Sequence, residues 1–154
     1  MRDEAFEALA RDQYVGSLAT VNIDGLPQVC TIFYLLDGDD IVFKSRAISS
    51  HMSSVASGNN QAAFCNYLAE SDYAVKAGVQ VQGTIRRISN TERMKRLVEA
   101  YSSSFPGAGP KFAPLDELLS INADSTLFAL SIEQYKVVDS RTGRVDLAYI
   151  PNAR

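Results

Sequence analysis

Two tight turns between three β-prone runs, all within residues 17–45, constrain the fold of this chain more than any other part of its sequence. The runs SLATVNI and LPQVCTIFYLL flank Asp24-Gly25, and the run IVFKS follows a second turn, DGDD. An Asp-Gly pair between β-prone runs is typical of a two-residue hairpin with a type I′ turn, which needs positive φ at both positions. These residues therefore predict a meander of three antiparallel strands.

The rest of the chain alternates between further strands and short helices. From Val75 to Ile88, apolar and polar residues alternate as in a half-buried strand, and Gly78 and Gly83 indicate a bend or bulge inside it. The other predicted strands are Gln61–Leu68, Leu127–Val138 and Val145–Ile150. The first predicted helix is Asp3–Tyr14 and the last is Pro114–Leu119. Between them, a short helix is capped by Ser49 or Ser50 and ended by Gly58. A longer helix starts at Ser89 with a Ser89–Glu92 capping box and ends at Phe105.

This pattern of elements favours one fold class. Six or seven strands with strong hairpin signals and only a few helices are typical of an antiparallel β-barrel. We therefore predict a mainly β chain, a six- to seven-stranded antiparallel split barrel with a few flanking helices, and a β-sandwich is the structural alternative. Because no repeat, low-complexity tract or long linker divides the chain, residues 1–154 are expected to form a single domain.

Charge and hydropathy exclude several classes of protein. A net charge of −3 over 154 residues argues against a nucleic-acid binder, which needs a basic surface to meet phosphates. The longest apolar stretch, Val29–Leu36, is less than half of a bilayer span, and the charged first residues, MRDEAFEALARD, lack the apolar core of a signal peptide. We therefore expect a cytoplasmic protein with no nucleic-acid and no membrane partner.

The counts of cysteine and histidine exclude most metal sites. Cys30 and Cys65 are the only cysteines and His51 is the only histidine, so disulfide scaffolds, four-cysteine zinc sites, iron–sulfur clusters and sites with two imidazoles are excluded. No metal site is predicted. Both cysteines lie in apolar strand sequence, which favours buried small side chains.

The segment from Ile41 to His51 is the most informative for function, because a predicted strand there enters the N-terminus of a helix. Three hydroxyls, two fixed cations and one imidazole surround that corner, contributed by Ser45, Ser49, Ser50, Lys44, Arg46 and His51. Such a set suits a phosphate, which exposed helix N–H groups also attract. The alternative is an ordinary capped turn with solvated cations.

His51 and Gln80 each have a functional and a structural interpretation. As the single imidazole near the corner, His51 either contacts phosphate, acts as an acid–base group or is a packed or surface histidine. Gln80 and Gln82 lie on the polar side of a predicted strand, where they either hydrogen-bond a ligand or face water. The sequence alone leaves these alternatives open.

The order of the motifs resembles one known family. GSLATVNIDGLPQVCTIFYLL, a strand that enters SRAISSH, and the glycine-flanked GVQVQGTIRRI are similar to the pyridoxamine 5′-phosphate oxidase-like FMN-binding split barrels. The resemblance is strongest to a small uncharacterised bacterial branch with FYL-D, a His-Met helix start, GVQ-x-x-G-x-IRR and Tyr-x-x-x-Phe-Pro. It covers about Leu18 to Asp139.

The resemblance implies an FMN site on the first three strands. In the family, the strand equivalent to Gln28–Ile32 lies along the flavin ring, so the implied ring contacts are Gln28, Val29, Cys30 and Thr31. The residue equivalent to Ser45 contacts the flavin or its phosphate, and the pair equivalent to Ser50 and His51 lies on the phosphate.

This chain differs from the true oxidases at three places that affect the expected FMN and substrate sites. The oxidases have Arg-Lys where this chain has Ser50-His51, so Arg46 is expected to offset the missing charge. Gly78 stands where they have a flavin-contacting glutamine, a role that falls to Gln80 if the strand register differs. They also share a C-terminal Arg-x-His that meets pyridoxal phosphate, whereas this chain has no histidine after His51.

The resemblance therefore implies a homodimeric FMN-binding oxidoreductase that acts on an unidentified small molecule rather than on vitamin B6. No side chain stands out as its acid or base. The alternative is a non-enzymatic binding protein of the same fold that holds haem, another planar ligand or no cofactor. In the haem case His51 is the candidate axial ligand.

Overall fold

The computed structural model describes residues 4–68, 70 and 72–149. Its elements in chain order are α1 (Glu4–Asp12), β1 (Val15–Val21), β2 (Pro27–Asp37), β3 (Asp40–Arg46), a 3₁₀ turn (Ser50–Met52), α2 (Ser53–Ala56), β4 (Gln61–Tyr67), β5 (Ala77–Arg87), α3 (Thr91–Ser104), a second 3₁₀ turn (Gly109–Lys111), α4 (Leu115–Leu119), β6 (Ser125–Asp139) and β7 (Arg144–Tyr149). Asp3 and Ile150, predicted ends of the first helix and last strand, lie outside the described residues.

Six of these strands close into an antiparallel barrel. They are hydrogen-bonded in the order β3-β2-β1-β4-β5-β6, and β3 pairs with β6 to complete the ring, while β7 extends the sheet beyond β6. The predicted mainly β barrel is confirmed, and the β-sandwich alternative is wrong. No helix in the described part of the chain is long and apolar enough to cross a membrane.

The predicted bend in β5 is confirmed at Gly83. The register between β5 and β6 shifts between Gln82 and Gly83. A Cβ atom at position 83 would lie 1.8 Å from the carbonyl oxygen of Ser131, so only glycine permits this approach of the two strands.

The β1–β2 hairpin is confirmed, but the type I′ turn is wrong. The amide of Asn22 donates to the carbonyl of Leu26 across a three-residue loop, and the amide of Gly25 donates to the carbonyl of Asn22. The side-chain oxygen of Asn22 accepts from the amides of Asp24 and Leu26, at 3.0 and 2.8 Å. Because this side chain organises the loop, Gly25, with φ of +81°, takes the left-handed position of the longer turn class.

Helix α3 covers the outer face of the barrel next to the strand ends that carry the candidate site. It is capped by Asn90, whose side chain accepts from the amide of Arg93 at 2.8 Å, so the predicted Ser89–Glu92 capping box is wrong. Arg93 also bridges Asp37 and Asp40, at 2.8 and 2.6 Å, which ties the helix to the β2–β3 turn. The buried side of α3 packs on β3 and β6 through Met94, Leu97, Tyr101, Val42, Leu127 and Ala129.

Candidate functional site

A cavity of about 850 Å³ opens where the end of β3 meets β2 and the C-terminal end of α3. Its wall has an aromatic side and a polar, cationic side. The aromatic side chains are Tyr14, Phe33, Tyr101 and Phe105, and the polar side chains include Thr31, Lys44, Ser45, Arg46, His51, Ser104, Lys111 and Ser125. Its volume and mixed lining are those of a site for a small molecule or cofactor.

At the polar end, three side chains form one hydrogen-bonded cluster. The Nε2 atom of His51 lies 2.9 Å from the Oγ of Ser45 and 3.2 Å from the Oγ of Ser49. The two hydroxyls are 3.2 Å apart, and Ser49 donates to the carbonyl of Arg46 at 2.7 Å. The cluster therefore places the Ser45 hydroxyl and the His51 imidazole at one end of the cavity, and Ser49 holds both of them without lining the wall.

A hydrogen bond from β1 fixes the backbone of His51, and burial affects the charge of its ring. The buried hydroxyl of Thr20 donates to the carbonyl of His51 at 2.8 Å, which fixes the backbone beside β1. Burial lowers the pKa of the His51 imidazole below its ordinary value of 6.5, so the ring is neutral at pH 7. A neutral imidazole donates one hydrogen bond or takes up a proton when an anion approaches.

The predicted cap at the start of the short helix is wrong. Ser49 occupies the position before the 3₁₀ turn, but its hydroxyl makes no capping hydrogen bond, because it donates back to Arg46. The turn of three residues is followed by only four residues of α-helix. Anion affinity at this corner therefore depends on side chains, not on a helix dipole.

Arg46 lies at the rim of the cavity and is paired with a carboxylate. Its Nη2 and Nε atoms lie 3.0 and 3.2 Å from the same oxygen of Asp124. The side chains are 60% and 67% exposed, and ion pairs this open contribute about 0–1 kcal/mol. A dianionic ligand can therefore recruit this guanidinium at little cost in stability.

Lys44 and Lys111 add two more cations to the same cavity. The Nζ of Lys44 lies 5.4 Å from the centre of the Phe112 ring. Burial and then the neighbouring ammonium of Lys111 lower the pKa of Lys44, while Asp124 opposes this shift. The polar side of the cavity thus concentrates positive charge in a chain whose net charge is −3.

The aromatic side is a continuous set of ring contacts around Phe105. The centre of this ring lies 4.5 Å from that of Tyr101, 5.2 Å from that of Phe33 and 5.8 Å from that of Tyr14. The Tyr101 hydroxyl donates to the carbonyl of Phe33 at 2.8 Å and so links α3 to β2. Rings fixed in this way form a rigid apolar surface for a planar ligand.

The structure brings together only some of the predicted site residues. Thr31, Ser45, Arg46 and His51 line this cavity, whereas Ser50 is exposed beside it and is not part of the wall. Val29 and Gln80 line a separate cavity of about 340 Å³ on the outer face of β1, β4 and β5.

Gln28 and the two cysteines do not line the main cavity. The side-chain oxygen of Gln28 is buried and has no hydrogen-bond partner among the described residues. Cys30 and Cys65 are free thiols and are half-buried rather than fully buried, and burial raises the pKa of Cys30. Cys65 lines the smaller cavity.

Sequence reasoning missed Lys111 and the role of the aromatic rings. Lys111 lies in the segment FPGAGPKFAP, whose glycines and prolines indicate a loop without indicating where its lysine points. The helical spacing of Met94, Leu97, Val98 and Tyr101 predicts only a buried stripe, whereas the Tyr101 hydroxyl also bonds β2. The signal available in the sequence was the Tyr-x-x-x-Phe-Pro motif, which ends the helix with an aromatic residue at the cavity.

A family model described as pyridoxamine 5′-phosphate oxidase matches residues 2–139. The chain belongs to this family. The match spans β1 to β6 and therefore the whole barrel, with both the polar cluster and the aromatic wall of the cavity. No curated protein sequence matches the chain.

Solved structures of similar fold include a haem-binding protein from Mycobacterium smegmatis, with 22% identity and a TM-score of 0.76; the match covers 97% of this chain but only 59% of that one. A conserved hypothetical protein from Mycobacterium tuberculosis has 17% identity and a TM-score of 0.72, over 100% and 96% of the two chains. The haem storage protein HutZ from Vibrio cholerae has 19% identity and a TM-score of 0.66, over 89% and 95%. At these identities the likeness shows the fold alone.

Proposed function

We propose that the protein is an FMN-binding flavoprotein, an oxidoreductase that acts on a small molecule other than pyridoxamine phosphate. In this proposal residues 1–154 form one domain of a cytoplasmic homodimer. The observation that carries it is the cavity whose polar end holds the hydrogen-bonded pair Ser45 and His51 and whose other side is a wall of fixed aromatic rings. FMN has the matching chemistry, a phosphate joined to a planar ring.

The donors at the polar end fit a phosphate dianion. The Ser45 hydroxyl and the His51 imidazole occupy one point of the wall, Ser49 is hydrogen-bonded to both, and the weakly paired guanidinium of Arg46 lies at the rim. Hydrogen bonds between such groups and phosphate are charge-assisted, and a guanidinium can form two of them at once. When the anion is bound, uptake of a proton by His51 becomes favourable, because the new charge opposes the effect of burial.

The environment of Gln28 tests separately whether a flavin ring fits beside β2. The buried side-chain oxygen of Gln28 accepts no hydrogen bond from the described residues, and a buried acceptor without a donor costs about 1–3 kcal/mol. By strand alternation this side chain and that of Cys30 lie on the inner face of β2, opposite Thr31 and Phe33, so a flavin ring in the main cavity does not reach the Gln28 oxygen. Of the proposed ring contacts on β2, Thr31 faces the main cavity and Val29 borders the smaller one.

The chemistry comes from the cofactor, and the chain positions it. Bound FMN supplies two-electron redox chemistry. Ser45, His51 and Arg46 hold the phosphate end, while the rings around Phe105 form an apolar wall on the other side of the cavity. No residue is assigned as a general acid or base.

An exposed apolar sheet face supports the homodimer. Val15 and Phe33 are paired across β1 and β2, Val29 lies farther along the same face, and Tyr67 of β4 continues it. All four are among the exposed large apolar side chains, with Val29 73% exposed. Apolar surface of this kind marks an interaction site, and a second copy of the chain covers it in the proposal.

In the proposed dimer, Gln80 also becomes part of a flavin site. Gln80 lies in the small cavity beside Val29, on the face that the second copy covers. It is therefore proposed to contact the flavin bound by the partner chain.

Haem is the second candidate ligand. A neutral, half-buried imidazole that faces a large cavity with aromatic walls is suited to an axial ligand, and the fold is shared with a haem-binding protein. In this structure, however, the Nε2 atom of His51 contacts two serine hydroxyls, which suits a phosphate better than an iron atom.

The first experiment is the absorption spectrum of the purified protein, before and after addition of FMN or haem. A bound flavin or a bound haem is identified directly by its bands. Absence of FMN binding at micromolar concentration overturns the proposal. We also expect no hydrogen peroxide from pyridoxamine phosphate, because the chain lacks the Arg-x-His of the true oxidases.

A further inference from the structure

We propose that the cavity has a second anion-binding position, formed by Lys44 and Lys111, which binds the anionic group of an aromatic small molecule. The identification of that molecule as the substrate rests on the proposed function. The binding position itself does not.

The two lysines approach the cavity on a different side of β3 from the serine–histidine cluster. Successive side chains of a strand point to opposite faces. Lys44 shares its face with Val42, which packs under α3, whereas Ser45 shares its face with Phe43 in the barrel core. Both lysines nevertheless line the cavity that Ser45 and His51 line. A phosphate held at Ser45 and His51 therefore leaves the lysine pair available, and Arg46, which shares the face of Lys44, borders both positions.

The lysine pair carries positive charge that the described residues do not neutralise. Lys44 and Lys111 repel each other, and neither forms an ion pair with a carboxylate in the described part of the chain. Asp124, the carboxylate that acts on Lys44, is already paired with Arg46 at 3.0 Å. An anion beside the half-buried ammonium of Lys44 and the exposed ammonium of Lys111 offsets their repulsion.

The aromatic side chains next to the lysines favour an anionic group that is attached to an aromatic ring. The Phe112 ring lies under the Nζ of Lys44, and its centre is 5.8 Å from that of Tyr101. Tyr101 in turn contacts Phe105 at 4.5 Å. A planar molecule with one anionic group can place its ring against Tyr101 and Phe105, which line the cavity, and its charge beside the lysines. The expected substrate class is therefore an aromatic carboxylate or phosphate.

The test compares a charged and an uncharged probe with the same rings. Anilinonaphthalene sulfonate carries an anion, and phenylnaphthylamine lacks it. For Lys44→Met with Lys111→Met, we expect a loss of about tenfold or more in affinity for the sulfonate, because charge-assisted contacts are removed. Affinity for the uncharged probe should change less than about twofold, which also shows that the cavity is intact. Lys95→Met removes an exposed lysine of α3 and serves as the control.

Calorimetric titration with FMN separates this proposal from the proposed function. FMN affinity should change less than about threefold in the double lysine variant, and the sulfonate should still bind the FMN-loaded protein. The proposal is overturned if the double variant binds the sulfonate as tightly as the wild type, if both probes lose affinity equally, or if the lysines prove to bind FMN itself. If the wild type binds no FMN, the proposed function fails, and the probe pair still decides whether the lysines bind anions.

Discussion

The Oγ of Ser45 and the Nε2 of His51 are joined by a 2.9 Å hydrogen bond at the point where β3 leaves the barrel. This contact connects the last buried residue of the strand to the turn that follows it, and Ser49 completes the cluster. The resulting corner combines hydroxyls with an imidazole that burial keeps neutral in the free protein. The proposed phosphate site depends on this arrangement.

The first prediction concerns the pH dependence of stability through His51. Its folded-state pKa lies below the ordinary value of 6.5, so the unfolded chain binds a proton more readily than the folded chain. The free energy of unfolding should therefore fall as the pH decreases through about 6.5 towards the folded-state pKa. Urea unfolding at pH 7.5 and 5.5 measures this loss, which His51→Gln should reduce. An unchanged pH dependence in the variant would contradict the assigned role of burial.

The second prediction concerns the unpaired oxygen of Gln28. Replacement by leucine removes a buried acceptor without a donor, so Gln28→Leu should leave the free energy of unfolding of the FMN-free protein unchanged or raise it by up to about 1 kcal/mol. The same variant should bind FMN about as the wild type does, because Gln28 does not line the main cavity. A clear loss of stability without FMN, measured by urea unfolding, would show that Gln28 already has a structural role.

The third prediction concerns the exposed sheet face. Val29→Lys places a charge in the proposed dimer interface and should shift the protein to monomers in sedimentation velocity at micromolar concentration. Val145→Lys alters a residue of β7 that is 65% exposed, compared with 73% for Val29, and should leave the dimer intact. A monomeric wild type, or a Val29→Lys variant that stays dimeric, argues against this face as the interface.

The elements of the barrel follow from local sequence, whereas the details of its turns and site do not. Strands β1 to β6 lie where alternation and turn residues predict them, because each pattern is set within a few residues. The β1–β2 turn differs from the prediction since the side chain of Asn22 satisfies two amides and selects a longer loop. In the same way Asn90, rather than Ser89, accepts from the amide that caps α3.

The candidate site was predictable only in part because its partners are distant in sequence. The sequence indicates the residues from Ser45 to His51 together, since one strand-to-turn segment contains them. Arg46 and Asp124 are 78 positions apart, and no local pattern indicates that they pair. Lys111 reaches the cavity through the packing of the loop after α3, and its place beside Lys44 emerges only in the folded chain.

The corner at Ser45, Arg46 and His51 is proposed to bind the phosphate of FMN. Titration of Arg46→Ala with FMN and with riboflavin, which lacks the phosphate, tests this directly. Arg86→Ala is the matched control, because this arginine is 62% exposed and also contacts a carboxylate.

A charge-assisted contact contributes about 1.5–3 kcal/mol, so Arg46→Ala should weaken FMN binding about tenfold to a hundredfold. Riboflavin binding should be unaffected by this change, and Arg86→Ala should bind FMN as the wild type does. Equal losses in the two variants, or FMN binding that is insensitive to Arg46, would contradict the account.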